Sequence, residues 1–356
     1  MNKYFDNMLD KLTENYMNKK PLSADVFTAE SLKNYPKYLY RYRSCNDYNF
    51  DALRNDYLWA STPSDFYDPC DSIVNLNLKN ELSDIHRFLN IHMAELIYYS
   101  IPPKGMKARK KGLKLEDFIK YQNEFVSADG VYDGIKLKSC LTAQLNGLGE
   151  RDKLVISKLL EFPNNSEFKR KFESHFEEVL FDTINSLRFS NFICCLTERN
   201  DNRKMWEEYG DKYEGFTAEY DSSLIINHPE VLESFMHLFP VSYYKRMPKV
   251  PTLPFLEYAL YKELYNREIN TFDANKKFYK QLFVKHYDYH TEEEWRIVSN
   301  GNIIHFPILS AIYAGFAISD DNFEIIKDIC REKKIPLYKQ RLNPTGNGFY
   351  FKSIRL

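Results

Sequence analysis

The sequence is poor in glycine, with 12 in 356 residues, about half of the average share. Neither G-x-G-x-x-G nor G-x-x-x-x-G-K-[ST] occurs, which argues against the common nucleotide-binding folds with glycine-rich phosphate loops. The six cysteines form no C-x-x-C pair, so a zinc ribbon and a thioredoxin-like site are excluded. His286 and His290 are four residues apart, but the spacing supplies no third ligand, and no metal is expected.

Long apolar runs and an excess of one charge are also missing. The longest uncharged apolar stretch, 306–319, is too short to span a bilayer, and residues 1–12 lack the apolar core of a signal peptide. The 49 basic and 50 acidic residues leave a formal net charge of -1, which removes the argument for a generally basic nucleic-acid binder. We therefore expect a cytoplasmic protein with reduced thiols and no membrane partner.

What the chain does contain is aromatic and apolar material, with 27 Tyr, 26 Phe and 44% hydrophobic residues, as in globular proteins. Residues 79–190 carry apolar side chains at the three- and four-residue spacing of amphipathic helices, while the flanking parts contain short alternating strands. We predict a helical lead-in over 1–36, one α+β domain from 37–78 and 191–356, and a helical insertion over 79–190.

The segment YLYRYR, residues 38–43, has the period of a β-strand. Arg41 and Arg43 then share one face, and Tyr40 and Tyr42 share the other. Two guanidinium groups suit a phosphate or pyrophosphate, because each presents a planar fork of donors. An exposed sheet face with both arginines in water is the alternative.

The segment EEEWRIV, residues 292–298, is predicted to be a second important strand. Glu292, Glu294 and Arg296 would point one way, with the two carboxylates about 7 Å apart. Such a pair can stabilise an oxocarbenium-like centre or hold a metal ion. The alternative is a surface strand whose Glu–Arg neighbours pair across to another strand, although three consecutive acids are poor strand formers and need a reason.

Further candidates lie in the polar stretches between these strands. Thr197 ends a buried strand and Tyr209 lies on the following helix, so both are placed to touch a ligand, whereas Met205 and Trp206 are predicted to be core. A basic loop can hold nucleic-acid phosphates or be merely solvated. This loop includes Lys107, Arg109, Lys110 and Lys111. The acids Asp65, Asp68 and Asp71 are predicted to be turn and cap residues.

Six segments together resemble the bacterial family catalogued as domain of unknown function 2971. They are LYRYRS, ALRNDYLWASTPSDFYDPCD, FICCLTERNDNRKMWEEYGDKYEGFTAEYD, PVSYY, YHTEEEWRI and AIYAG, and they span about residues 39–315 in order. The chain departs from the family pattern at Tyr67, where Asn is usual, and at Leu196–Thr197, where the family has Ser.

The order of elements is also similar to that of ADP-ribosyltransferases. Those proteins open with a strand bearing an aromatic–Arg motif, continue with a strand ending in a hydroxyl residue before a Tyr-bearing helix, and carry Glu-x-Glu on a late strand. The matching residues here are Tyr40, Arg41, Thr197, Tyr209, Glu292 and Glu294. The resemblance implies a mixed, largely antiparallel sheet and NAD⁺ as the substrate.

The same resemblance implies a role for each residue. Glu294 would be the catalytic carboxylate, and Glu292 would position the acceptor. Arg41, with Arg43, would hold the phosphate or ribose of NAD⁺, Thr197 would support the nicotinamide ribose, and Tyr209 would stack on nicotinamide.

The implied function is cleavage of NAD⁺ and transfer of ADP-ribose to a nucleic-acid or protein acceptor or to water, as a toxin or phage-defence effector. A partner protein would bind through the helical insertion. One alternative is a metal-dependent nuclease that uses Asp68, Asp71, Glu292 and Glu294 around Mg²⁺. Another is a non-catalytic sensor or interaction protein of phage defence.

Overall fold

The computed structural model of the protein describes residues 4, 5, 7, 8, 10, 11, 32–66, 68, 71, 72, 75, 76, 177, 178, 181, 182, 184, 185, 188–250, 272–344 and 348–356. The chain divides into two compact units. One comprises Met1–Ile73, Leu187–Pro248 and Lys276–Leu356, and the other comprises Val74–Ser186 and Lys249–Asn275. Most of the described residues belong to the first unit. The predicted division into lead-in, α+β domain and insertion stays a prediction.

The described residues contain twelve β-strands. They are β1 (Tyr38–Arg43), β2 (Tyr57–Trp59), β3 (Phe192–Thr197), β4 (Phe216–Asp221), β5 (Leu238–Pro240), β6 (Ser242–Tyr244), β7 (Val284–His286), β8 (Glu294–Ser299), β9 (Ile303–His305), β10 (Leu309–Ala314), β11 (Leu337–Leu342) and β12 (Phe349–Ile354). Eight of them form one sheet in the order β12-β11-β10-β4-β1-β3-β8-β5, and within it only β10 and β11 run parallel. The expected α+β class and largely antiparallel sheet are confirmed.

Helices lie between these strands along the chain. Those with defined bounds are α1 (Asp47–Arg54), α2 (Arg203–Glu208), α3 (Leu232–Met236), α4 (Phe272–Gln281) and α5 (Asp320–Lys333). The side chain of Ser319 caps α5, acids occupy its first turn and bases its last, all of which favour the helix. Among the residues that the structure describes, no helix is long and apolar enough to cross a membrane.

Alternation along the strands gives the sheet two different faces. One face carries Trp295 into an aromatic core, where its ring centroid lies 5.3 Å from that of Phe5. On the other face, Tyr40, Thr197 and Glu294 are Cα partners in one row across β1, β3 and β8. Three of the polar residues singled out by sequence are therefore neighbours on adjacent strands.

The central sheet separates between β1 and β3. These strands share a single pair of partners, Tyr40 and Thr197, whereas β3 and β8 are paired along six residues. At the other end of β3, Ile193 pairs instead with Ser61, through hydrogen bonds of 3.0 and 2.8 Å. The segment that follows β2 thus enters where β1 would otherwise continue, and the two strands diverge.

Candidate functional site

A cavity of about 320 Å³ opens where β1 and β3 diverge. The residues predicted to bind NAD⁺ or to act in catalysis all line it: Tyr40, Arg41, Arg43, Thr197, Tyr209, Glu292 and Glu294. The structure therefore brings these residues together, while their roles stay predictions. The basic-loop residues Lys107, Arg109, Lys110 and Lys111 lie outside the described residues.

The two glutamates of the cavity lie on different elements. Strand β8 begins only at Glu294, and Glu292 ends a 3₁₀ helix over Tyr287–Glu292. Glu293 between them has φ 45°, in the left-handed region, so the chain turns sharply there. The prediction of a strand from Glu292 onward is therefore wrong at its first two residues, in keeping with the poor strand propensity of acids.

Glu294 is buried and held by two cations. Its Oε1 accepts from Arg296 Nε at 2.7 Å, and its Oε2 accepts from Lys285 Nζ at 3.0 Å and from Arg296 Nη2 at 3.3 Å. Burial alone would raise the pKa of Glu294, but the Arg296 guanidinium and the Lys285 ammonium bring it well below its ordinary value. Glu294 therefore remains ionised, with both oxygens engaged inside the protein.

Glu292 is equally buried, with 2% of its surface exposed, but it is only half satisfied. Its Oε2 accepts from Lys285 Nζ at 2.6 Å, whereas its Oε1 has no hydrogen-bond partner among the described residues. The ammonium nitrogen of Lys204 lies 3.9 Å from Oε1. Burial raises the pKa of Glu292 and outweighs the opposing effect of Lys285. Two neighbouring carboxyl groups with pKa values shifted apart are typical of acid–base sites.

We expect Glu292→Gln to raise the free energy of unfolding, relative to wild type, more at pH 7 than at pH 4. A carboxyl group with a raised folded pKa holds its proton more tightly when folded. Its contribution to stability is therefore lost as the pH rises from the ordinary 4.5 through the folded value. Gln cannot ionise and removes this loss. Urea unfolding at both pH values measures the difference, and an equal difference at both would contradict the raised pKa.

Arg296 and Asp71 complete the buried charge network beneath the cavity. Arg296 has 0% of its surface exposed and pairs bidentately with Asp71, through Nη1–Oδ1 at 2.8 Å and Nη2–Oδ2 at 2.7 Å. Asp71 lies in a turn, as predicted. Its side chain does not cap a helix but is buried as the ion-pair partner of Arg296. The expected alternative of Glu–Arg pairs across strands is also wrong, because Arg296 pairs with Glu294 of its own strand.

Lys285 occupies the place where several carboxylates converge. Its Nζ contacts Glu292 at 2.6 Å, Glu294 at 3.0 Å and Asp71 at 3.7 Å. Within the described ranges, no group of three His, Cys, Asp or Glu residues has the geometry to hold a metal ion. The position between these carboxylates is taken by an ammonium group, so this geometry lends no support to the nuclease alternative.

Arg41 contributes a buried positive charge to the cavity. It is 7% exposed, and its Nη2 donates to the Trp59 carbonyl. No described carboxylate forms an ion pair with Arg41 or with the half-buried Arg43. The alternative of arginines solvated on an open sheet face is therefore wrong for Arg41. A buried guanidinium without a carboxylate partner is costly and suits an anionic ligand.

Thr197 and Tyr209 occupy different positions relative to the cavity. Thr197 is buried, and its hydroxyl donates to the Glu292 carbonyl at 2.5 Å and accepts from the Arg199 N–H at 3.2 Å. This threonine therefore fixes the backbone of Glu292. Tyr209 follows α2, is 38% exposed and presents its ring to the cavity. Of the two, Tyr209 is the one accessible to a ligand.

The chain matches a known protein family in the segment that runs from Tyr209 to the two glutamates. Residues 205–297 match the model of a family described as protein of unknown function, DUF2971. The resemblance stated from sequence is confirmed over those residues. Neither a curated protein nor a solved structure matches the chain.

The DUF2971 match contains most of the charge network, without Asp71, and only part of the cavity. Tyr209, Lys285, Glu292, Glu294 and Arg296 lie inside the matched residues, whereas the two arginines of β1 and Thr197 lie outside them. DUF2971 carries no function with it, so the chemistry has to be argued from the cavity itself.

Sequence reasoning missed Lys285 and Lys204 as parts of the cavity, and it grouped Asp71 with the two glutamates only in the nuclease alternative. Lys285 is the second residue of the short strand β7, in a segment without any motif. One signal was present for Asp71: a carboxylate in the turn-rich stretch after β2 is a natural partner for a buried arginine. That signal could not have identified Arg296, which is 225 residues away, as the partner.

Proposed function

We propose that the cavity binds NAD⁺ and that the protein cleaves the bond between nicotinamide and ribose, passing ADP-ribose to a macromolecular acceptor or to water. The observation that carries this proposal is a pair of incompletely partnered buried groups in one cavity. Arg41 is buried without a described carboxylate partner, and one oxygen of the buried Glu292 accepts no hydrogen bond from the described residues. A ligand that satisfies both must combine an anion with a hydrogen-bond donor or a developing positive charge, as NAD⁺ does.

The anionic part of the ligand is assigned to Arg41 and Arg43. Burying an ion without an opposite charge costs several kcal/mol, and a phosphate removes that cost while accepting two parallel hydrogen bonds from a guanidinium. Because both arginines line the cavity, two adjacent phosphates can each find a partner.

The reaction is assigned to Glu292. The C–N bond to ribose breaks, its electron pair leaves with nicotinamide, and the ribose carbon becomes oxocarbenium-like. The nucleophile of the acceptor bonds to this carbon and gives its proton to the Glu292 carboxylate. Glu292 is preferred over Glu294 because the oxygens of Glu294 are already held by Arg296 and Lys285. Glu294 then serves to hold Lys285.

Two further residues support this geometry. Tyr209 offers a partly exposed ring on which nicotinamide can stack. Thr197 holds the carbonyl of Glu292 and thereby sets the direction of its carboxylate. In this assignment Thr197 acts on the ribose through Glu292 rather than by direct contact.

The cellular role is proposed on the resemblances to DUF2971 proteins and to ADP-ribosyltransferases alone. We propose a cytoplasmic toxin or phage-defence effector that modifies a nucleic acid or a protein. A partner protein would bind through residues 79–190.

The proposal is tested by incubating the purified protein with NAD⁺ and following nicotinamide release, with and without nucleic acid or cell extract. Release by the wild type supports it, and labelled NAD⁺ then identifies the acceptor. Binding of NAD⁺ without release under any condition would favour a sensor. If NAD⁺ is neither bound nor cleaved, the proposal is overturned. Cleavage of nucleic acid that requires Mg²⁺ would replace it with the nuclease.

Arg41→Met is expected to weaken NAD⁺ binding by about 10–100-fold, the usual contribution of a charged hydrogen-bonding group. It is also expected to cost little or no stability, because the replaced guanidinium is buried without a described carboxylate partner. Calorimetric titration and urea unfolding measure the two effects. Unchanged NAD⁺ affinity would contradict the assignment of Arg41 to the phosphates.

A further inference from the structure

A second cavity adjoins the first. It has a volume of about 450 Å³ and lies between α1, β2 and the neighbouring strands β1 and β4. Its walls include the aromatic side chains of Tyr48, Tyr57, Trp59, Phe216 and Tyr220. Trp59 is 47% exposed, so the cavity has an aromatic residue at an accessible position.

The two cavities share the residues at their junction. Arg41, Arg43 and Ser61 line both of them. The Arg41 guanidinium also donates to the carbonyl of Trp59, which belongs to the second cavity. A ligand that reaches both cavities therefore passes the two arginines.

The cavities differ in charge. The first is lined by six carboxylates, two lysines and the two arginines, so its acidic side chains outnumber its basic ones. The second has no acidic residue among its described lining and offers mainly aromatic surface. A cationic ring is therefore favoured in the first cavity, and a neutral aromatic base, which gains from stacking on aromatic side chains, is favoured in the second.

We propose that the substrate is a dinucleotide occupying both cavities. Its cationic nucleoside lies beside Glu292, its phosphates lie at Arg41 and Arg43, and its neutral nucleoside lies in the second cavity. Each cavity has a volume within the range of about 300–1,000 Å³ that is usual for small-ligand sites. This inference rests on the proposed function, and it adds a site for the half of the substrate that does not react.

The test uses three ligands and a variant that fills the second cavity. Ala52 lies on α1 and lines that cavity alone, so Ala52→Trp occupies its space without touching the first cavity. Arg54→Trp is the matched control, since Arg54 is exposed on the same helix and lines neither cavity. Binding of NAD⁺, nicotinamide mononucleotide and AMP is measured by calorimetry for wild type and both variants.

We expect Ala52→Trp to weaken NAD⁺ and AMP binding by about tenfold or more, a loss of at least 1.4 kcal/mol. Nicotinamide mononucleotide has no second nucleoside, so its affinity should stay within about twofold. Arg54→Trp should change none of the three. Trp59→Ala, which removes one wall of the cavity, should show the same pattern as Ala52→Trp and serves if that variant fails to fold.

The possible failures are distinguishable. If wild type binds neither NAD⁺ nor nicotinamide mononucleotide, the proposed function fails together with this inference. If both bind with similar affinity, and Ala52→Trp and Trp59→Ala leave NAD⁺ binding unchanged, only the dinucleotide inference is overturned. A loss of nicotinamide mononucleotide binding in both variants would also overturn it, because the effect would then not be confined to the second cavity.

Discussion

Glu292→Gln is expected to lower the rate of nicotinamide release from NAD⁺ by about 10²–10⁴-fold, the usual contribution of a positioned acid–base group. Gln keeps an oxygen that can accept from Lys285, but it cannot take the proton of the acceptor or balance the charge on ribose. NAD⁺ affinity should change much less, because the arginines of β1 hold the phosphates. A large loss in kcat with little change in binding marks an interaction made in the transition state.

The adjacent Glu293 provides a matched control for Glu292→Gln. Its side chain is 44% exposed, pairs loosely with Arg199 at 3.6 Å and does not line the cavity. Glu293→Gln should therefore retain the wild-type rate. The same substitution one residue away tests whether the effect belongs to the buried carboxylate or to a general change of charge in this turn.

Glu294→Gln separates the role of Glu292 from that of the charge network. It should also reduce the rate, but it removes the negative charge between Arg296 and Lys285 and should therefore destabilise the fold. Glu292→Gln should not destabilise it at pH 7. If Glu292→Gln kept full activity and Glu294→Gln abolished it without loss of stability, the catalytic role would return to Glu294, as the resemblance to ADP-ribosyltransferases implies.

The pH dependence adds an independent check. Because the pKa of Glu292 is raised by burial, the rate in wild type should increase with pH until this carboxyl group is ionised. Glu292→Gln should lose that rise together with the rate. If the rate of the variant still rose with pH, the rise would belong to the ionisation of another group.

Strand alternation predicted the faces of these side chains, and the element order shared with ADP-ribosyltransferases predicted that they meet. Tyr40, Thr197 and Glu294 were each read from a local pattern, and the register of β1, β3 and β8 places them in one row. A period of two residues fixes the face of a side chain once the strand is known. The α+β class followed in the same way from alternating segments with few helices between them.

The fine geometry around the two glutamates could not be predicted from the same patterns. The left-handed conformation at Glu293 separates Glu292 from β8, and one Glu292 oxygen accepts no hydrogen bond from the described residues. Three consecutive acids indicate a weak strand, but they do not specify a left-handed turn at the middle residue. The cost of φ above zero at a non-glycine residue is met by contacts from Thr197 and Lys285 that are distant in sequence.

The buried network was hidden for a related reason. Asp71 and Arg296 lie 225 residues apart, and Lys285 belongs to a segment of ordinary composition. Ion pairs between distant segments depend on tertiary packing, for which one sequence gives no measure. The cavity depends similarly on the pairing of Ser61 with Ile193, which separates β1 from β3.

Arg296→Met is expected to lower the free energy of unfolding by about 3–5 kcal/mol, the usual effect of removing one partner from a buried ion pair. The side chain has 0% exposure and donates to Asp71, Glu294, Ser72 and the Leu282 carbonyl. Met fills part of the volume but leaves two carboxylates facing each other with Lys285 alone between them. Urea denaturation followed by fluorescence measures the change.

Arg331→Met is the matched control for this substitution. Arg331 pairs with Asp328 on the exposed surface of α5, where both side chains are about half exposed. Water screens such a pair, so its loss should cost about 1 kcal/mol or less. A cost for Arg296→Met no greater than that of Arg331→Met would mean that the buried network does not stabilise the fold.

The difference between wild type and Arg296→Met should also depend on pH in a defined direction. Arg296 and Lys285 lower the folded pKa of Glu294 despite its burial. The stability that they supply is therefore present above the ordinary value of 4.5 and is lost as the pH falls through the folded value. The variant should be most destabilised near neutral pH and approach wild type in acid. A gap that widened in acid would place the missing stability outside the ion pairs, in the packing of the arginine side chain.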